Sequence, residues 1–147
     1  SISIEGYLNF AKEDNVYWRT GDINKSLIEI GIGSDTGILK SITLVTAKNI
    51  KLETATINVD SVIEGIPVFD SSIIPEKGVY DYINDFIVFL NSNSITVVIS
   101  DIDKCRKIIN FDRIGLGIDI DNNITHLSIN NLAASEYMEL RNAFKFY

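Results

Sequence analysis

Leu27-Ile28-Glu29-Ile30-Gly31-Ile32-Gly33-Ser34-Asp35-Thr36-Gly37-Ile38-Leu39-Lys40-Ser41-Ile42-Thr43-Leu44-Val45 is the stretch that decides the fold class. Apolar residues recur at period two on either side of Ser34-Asp35-Thr36-Gly37, and most are β-branched, which is the pattern of two half-buried strands. A type I turn with Gly37 in the left-handed region closes them into a bulged hairpin. Folding the ribbon there sets Ser34 against Ile38, Ile30 against Ile42 and Ile28 against Leu44, so apolar side chains stack on one face. Glu29 and Thr43 fall on the reverse face, which this reading places in water.

Two more pairs extend the logic outward. Phe86-Ile87-Val88-Phe89-Leu90 and Ile95-Thr96-Val97-Val98-Ile99 flank Asn91-Ser92-Asn93-Ser94; apolar on both faces, they belong at the centre of a sheet. Gly115 to Asp121 and Ile124 to Asn130 flank Asn122-Asn123, a dipeptide suited to the positive φ angles of a tight turn. In that register Ile120, Ile118 and Leu116 face Thr125, Leu127 and Ile129, while Asp119 faces His126 on the other side. The period then lengthens. Ala133, Tyr137, Leu140 and Phe144 fall at helical spacing, so an amphipathic helix is expected from about Leu132 to about Lys145. The signal is weaker between residues 47 and 85. There Thr54 to Val59 alternates like a strand, and Ile66-Pro67-Val68 and Ile74-Pro75-Glu76-Lys77-Gly78 read as extended segments broken by turns. The expected fold is α+β: a mainly antiparallel β-sheet built from hairpins, with a C-terminal amphipathic helix packed on it.

With 147 residues, 46% apolar and 22% charged, the chain reads as a single globular domain spanning residues 1–147. A chain of this size hides roughly 70% of its unfolded surface, so it needs no disulfide or metal staples. No run approaches the roughly 18 apolar residues of a membrane helix. Thirteen Lys plus Arg against twenty Asp plus Glu leave a net charge of −7, which repels nucleic-acid phosphates and anionic lipid and suits a basic partner. The basic cluster of Lys104, Arg106, Lys107 and Arg113 is offset by Asp101, Asp103 and Asp112. Cys105 is the only cysteine, which excludes an internal disulfide framework and fits a reducing compartment. Ser1-Ile2-Ser3-Ile4-Glu5-Gly6 lacks a basic segment followed by an apolar run, so no signal peptide is expected and a cytoplasmic location is.

The chemistry-bearing motifs each have a plainer explanation. Gly31-Ile32-Gly33-Ser34-Asp35-Thr36-Gly37 places its third glycine one position late for a dinucleotide fingerprint, and a strand follows where a helix is needed. Asp119-Ile120-Asp121-Asn122-Asn123 imitates the start of a calcium loop, but Ile124 stands where glycine is required and Asn130 where the closing glutamate belongs. His126, the only histidine, is expected on an exposed hairpin face beside Asp119, with its pKa modestly raised by that carboxylate. Cys105 has Lys104, Arg106 and Lys107 beside it but no resolving cysteine, and is given no chemical role. No catalytic residue, cofactor or metal is assigned, and the chain is read as no enzyme.

The remaining feature is aromatic. Gly78-Val79-Tyr80-Asp81-Tyr82-Ile83-Asn84-Asp85-Phe86 interleaves rings with carboxylates, and Val16-Tyr17-Trp18-Arg19 adds two further large rings. Tyr and Trp offer much contact area for few rotors, and acids beside them pair with Lys or Arg of a partner. Tyr80, Asp81, Tyr82 and Asp85 are therefore the candidate partner-binding residues. The plainer explanation is a strand with its rings in a core and its acids in water. A second functional reading uses Trp18, Tyr80 and Tyr82 as a stacking platform for a carbohydrate or other small ligand. A third, an enzyme built on His126 or carboxylates, lacks a convergent motif.

Two segments carry a family resemblance: Leu27 to Leu44, and Gly117-Ile118-Asp119-Ile120-Asp121-Asn122-Asn123-Ile124 leading to Asn131-Leu132 and Glu136-Tyr137-Met138-Glu139-Leu140. In these the chain resembles the small, acidic immunity proteins of bacterial polymorphic toxin and contact-dependent inhibition systems. The resemblance implies a cytoplasmic, non-catalytic inhibitor that covers a cognate, basic toxin domain. It transfers no functional residue, because such proteins share a role more than a motif.

Overall fold

The computed structural model describes residues 2–5 and 13–144. In chain order the elements are β1 (Ile2–Glu5), β2 (Asn15–Gly21), β3 (Leu27–Gly33), β4 (Leu39–Thr46), β5 (Ile50–Lys51) and β6 (Ser61–Glu64). They continue with β7 (Val79–Ile83), β8 (Ile87–Leu90), β9 (Ile95–Val98), β10 (Lys107–Phe111), β11 (Ile114–Ile118), β12 (Ile124–Ile129) and α1 (Ala134–Ala143). The fold is α+β, and its described residues form two compact units. One is built from the described residues up to Thr46 with Ile66–Asp85, the other from Ala47–Gly65 with the described residues from Phe86 onward.

The first unit is a five-stranded sheet ordered β1-β4-β3-β2-β7. Its centre is the hairpin expected from the alternation, with Ile28 opposite Leu44 and Ile30 opposite Ile42. Gly37 takes φ 72°. Its N–H donates to the Gly33 carbonyl, and the Gly33 N–H donates to Ile38, so Gly33 and not Ser34 partners Ile38. A bulge after Gly31 absorbs the difference by pairing Ile32 with Leu39. Ile28, Ile30, Ile32, Ile42 and Leu44 are buried, each worth about 1.5–3 kcal/mol of transfer free energy. Glu29 and Thr43, paired on the reverse face, are half-buried, not fully in water.

The second unit is a seven-stranded sheet ordered β5-β8-β9-β12-β11-β10-β6. β8 and β9 pair as expected and lie inside the sheet. Val88, Leu90, Ile95, Val97, Leu116, Leu127 and Ile129 are buried. Both sheets are mixed, which corrects the expectation of a mainly antiparallel one: β7 on β2, β6 on β10 and β5 on β8 are parallel. All three parallel strands sit at sheet edges and come from the middle of the chain, where alternation is weakest. Within that stretch Thr54 to Val59 is no strand, although Ala55, Ile57 and Val59 are half-buried and the residues between them exposed. Its alternation is one of burial, and no strand of the described residues is assigned there.

The β11–β12 hairpin departs from the expected register by two residues: Leu116 faces Leu127 and Gly117 faces His126. The turn is the cause. Asp119 accepts from the N–H groups of Asp121 and Asn123 at 2.9 Å through its own carboxylate, Asn122 takes φ 63°, and β11 ends at Ile118. The helix starts two residues late because Leu132 donates its N–H to Asn93 and Ala133 is extended. Glu136 takes up the Ala133 N–H at 2.9 Å and is itself gripped by Arg113. Leu140 is buried, Tyr137 and Phe144 are half-buried, and Met138 is exposed. Ser1, Gly6 and Lys145, on which parts of the terminal readings fall, lie outside the described residues. Among the described residues no helix is long and apolar enough to cross a membrane.

Candidate functional site

Three of the four candidate residues, Tyr80, Asp81 and Tyr82, lie on β7, the outer strand of the first sheet, and Asp85 follows it. A strand at an edge has one neighbour, so both of its faces reach water more readily than a central strand's do. Tyr80 is 38% and Tyr82 47% exposed, and Ile83, at 65%, is more exposed still. The rings share a face with the buried Ile30 and Thr20 but stand at the edge of the sheet, where they are only partly covered.

The parallel register joins β7 to β2 so that Trp18 lies opposite Tyr80, Arg19 opposite Asp81 and Thr20 opposite Tyr82. On one face Trp18 stacks on Tyr82, with ring centres 5.9 Å apart and planes 21° apart, while Tyr80 stands beside Trp18 in register. On the other face Arg19 and Asp81 form a two-pronged pair, Nε to Oδ1 at 2.7 Å and Nη2 to Oδ2 at 2.9 Å. The hydrogen bonds from Arg19 hold the Asp81 carboxyl below its ordinary range, and the same bonds raise the guanidinium above its own. Glu29, opposite Arg19 on β3, extends the row to carboxylate, guanidinium, carboxylate. Asp85 is exposed.

The structure thus brings Trp18, Tyr80 and Tyr82 together on one face of the β2–β7 edge and sets Asp81 on the opposite face with Arg19, a contact that spans 62 residues of chain. Sequence reasoning missed Arg19 as the residue that neutralises Asp81, and Glu29 as the second carboxylate. The alternation of β3 was the signal available for the face of Glu29; the pairing of Arg19 with Asp81 depends on the β2–β7 contact, which no local turn announces.

The other motifs resolve structurally. His126 is fully buried, not on an exposed face, and its neighbour is Gly117, not Asp119. Nδ1 lies 3.1 Å from Thr125 Oγ1, while Nε2 has no hydrogen-bond partner among the described residues. Burial lowers its pKa from 6.5 to about 4, opposite to the expected rise, because the imidazolium would lose its hydration and gain no carboxylate. Cys105 is buried, its Sγ 3.6 Å from the Lys107 carbonyl. The Asp119 loop spends its carboxylate on its own N–H groups, and among the described residues no His, Cys, Asp or Glu group of three or more is placed to hold a metal.

One polar cluster was not anticipated. The Glu13 carboxylate accepts from the N–H groups of Asp35 and Thr36 at 3.0 Å and from the Thr36 hydroxyl. Lys40 Nζ stands 3.9 Å away, and both side chains are nearly inaccessible. The Thr36 N–H contributes most to holding this carboxyl below its ordinary range. The arrangement fastens the β3–β4 turn, beside an open cleft lined by Glu13, Asp14, Ser34 and Asp35. No family model matches this chain, and no curated protein matches it.

Proposed function

We propose that this chain is a non-catalytic protein-binding module that captures a basic partner at the β7 edge, in the manner of a cytoplasmic immunity protein that neutralises a cognate bacterial toxin domain. One observation carries the reading: a short outer strand presents two exposed tyrosines, backed by Trp18, on one face and the Asp81 carboxylate on the other. Rings placed this way provide rigid apolar contact area, and the net charge of −7 accelerates encounter with a cation-rich surface. Asp81 is already paired with Arg19, which offsets part of its charge. The Trp18–Tyr82 stack also supports the carbohydrate reading, but rings that cover one another have less face left for a sugar.

The test is surface plasmon resonance against the toxin domain encoded beside this chain, at low and high salt. Tyr80→Ala and Tyr82→Ala are each expected to speed dissociation about tenfold or more, and Asp85→Asn to slow association by less than about threefold. Unchanged kinetics in all three substitutions, or binding of an oligosaccharide with no binding of the toxin, overturns the reading.

A further inference from the structure

The backbone of β7 has a sidedness that its side chains do not reveal. The Gly78 carbonyl accepts from the Tyr17 N–H at 2.8 Å, the Tyr82 carbonyl from the Thr20 hydroxyl at 2.7 Å, and the Asn84 N–H donates to Gly21 at 3.1 Å. Even-numbered residues therefore turn their N–H and C=O groups toward β2. Because these groups alternate in direction along a strand, those of Val79, Asp81 and Ile83 point out from the open edge. Natural sheets blunt such edges with Lys, Pro or a bulge. β7 reads Val-Tyr-Asp-Tyr-Ile and pairs with β2 without a register shift; it carries no Lys, Pro or bulge, Asp81 is its one charge, and among the described residues no strand pairs with its outer side.

The rows that end at this edge state what should come next. One face runs Ile30, Trp18, Tyr80 from β3 outward, apolar and then aromatic. The other runs Glu29, Arg19, Asp81, so the charges alternate and the last is negative. Val79 and Ile83 flank Asp81 on that face.

We propose that the open edge of β7 is completed by an extended partner segment that adds as the next strand, with a Lys or Arg at its centre beside Asp81 and apolar side chains on either side. The unpaired N–H and C=O groups of Val79, Asp81 and Ile83 supply the main-chain ladder, and the central cation continues the alternation of charge. Like charge disfavours a second copy of this chain, which carries −7 overall and brings another Asp to the same place. This inference rests on the protein-binding reading and adds the mode of capture and the chemistry of the captured segment.

The test is amide hydrogen exchange, read by NMR, on the whole chain with the capped peptide Thr-Val-Tyr-Arg-Tyr-Val-Thr in excess. Exchange at Val79, Asp81 and Ile83 is expected to slow about tenfold at saturation, while Tyr80 and Tyr82, whose backbones already face β2, change little. A peptide with Glu in place of Arg, and one N-methylated at alternate residues, should each lose most of this protection. Protection that is absent, or equal for the Arg and Glu peptides, overturns the proposal. The toxin domain supplies the second arm. If it binds and Tyr82→Ala weakens it while the three amides exchange as in the free chain, strand addition fails and the binding function stands. If the Arg peptide protects the edge and the toxin does not bind, the edge chemistry stands and the toxin reading fails.

Discussion

Each of the two sheets contains a strand with a Gly-x-Gly sequence, and each uses it to make room for one serine and one ionisable group. In β3, a Cβ on Gly31 would strike Ser41, and one on Gly33 would strike the Glu13 carboxylate. In β11, the same atoms on Gly115 and Gly117 would strike Ser128 and the His126 ring. The space is alike, but the outcomes diverge. Glu13 meets two backbone N–H groups, a hydroxyl and an ammonium, and stays charged. His126 meets one hydroxyl and, among the described residues, no partner at Nε2, and stays neutral. Whether a buried ionisable group keeps its charge is decided by the donors and acceptors that reach it, not by its depth alone.

The largest effect that separates the two sites is pH dependence. The His126 pKa is about 4 in the folded chain against 6.5 for an unhindered imidazole, so the unfolded chain binds more protons between those values. Stability is full above 6.5, falls as pH drops toward 4, and has lost about 3 kcal/mol from this group at the lower end. Urea titrations between pH 7.5 and 4.5 measure it. His126→Leu should flatten the curve over this range, and an unchanged slope in that variant would assign the loss to other groups.

Next in size is the steric coupling. Gly117→Ala should cost about 2 kcal/mol, because the new methyl group meets a ring that is packed on every side. Made together with His126→Ala, the same change should cost less, with the Thr125 hydroxyl still close, and the double-mutant cycle reads the difference. Gly33→Ala should cost less than Gly117→Ala, since the Glu13 carboxylate that it meets borders an open cleft into which it can shift, at the expense of its hydrogen bonds from the Thr36 hydroxyl, which also stands close. Equal costs at the two glycines would remove the distinction between the sites.

These differences also explain what could be read from the sequence. The β3–β4 and β8–β9 hairpins were legible because period-two alternation encodes both strand and face. In β11–β12 the turn was misread by two residues, yet Leu116 and Leu127 still share a face, because only an odd slip exchanges the faces of a strand. The slip instead moved His126 from Asp119 to Gly117, so the polar neighbourhood was lost while the apolar one survived. β6 and β7 escaped as partners because each pairs in parallel with a segment far away in sequence, and no local turn announces such a pairing. At the candidate site the alternation of rings and acids was visible. That both faces of β7 are open was not, since edge position is a property of the finished sheet. Glu13 carried little signal, because two of its donors are the backbone N–H groups of Asp35 and Thr36, which any residue supplies, and its side-chain partners lie more than twenty residues away.

Glu13→Gln is the smallest of the changes and the one that isolates charge from shape. Glutamine keeps the volume beside Gly33 and one carbonyl oxygen for the N–H groups of Asp35 and Thr36. It loses the second oxygen, which accepts from the Thr36 hydroxyl and faces Lys40. The folded pKa of Glu13 lies below its ordinary 4.5, so its contribution is present above 4.5 and is lost as pH falls through the lower folded value. That window lies mostly below the His126 window, so the two groups can be read from one pH series. The substitution should lower Tm at pH 7 by less than about 3 °C. It should also reduce the loss of stability below pH 4.5 and leave the slope between 6.5 and 4.5 intact. A variant that lost the upper slope instead would mean that the two sites are energetically coupled, and that donor supply at one of them does not by itself set its charge.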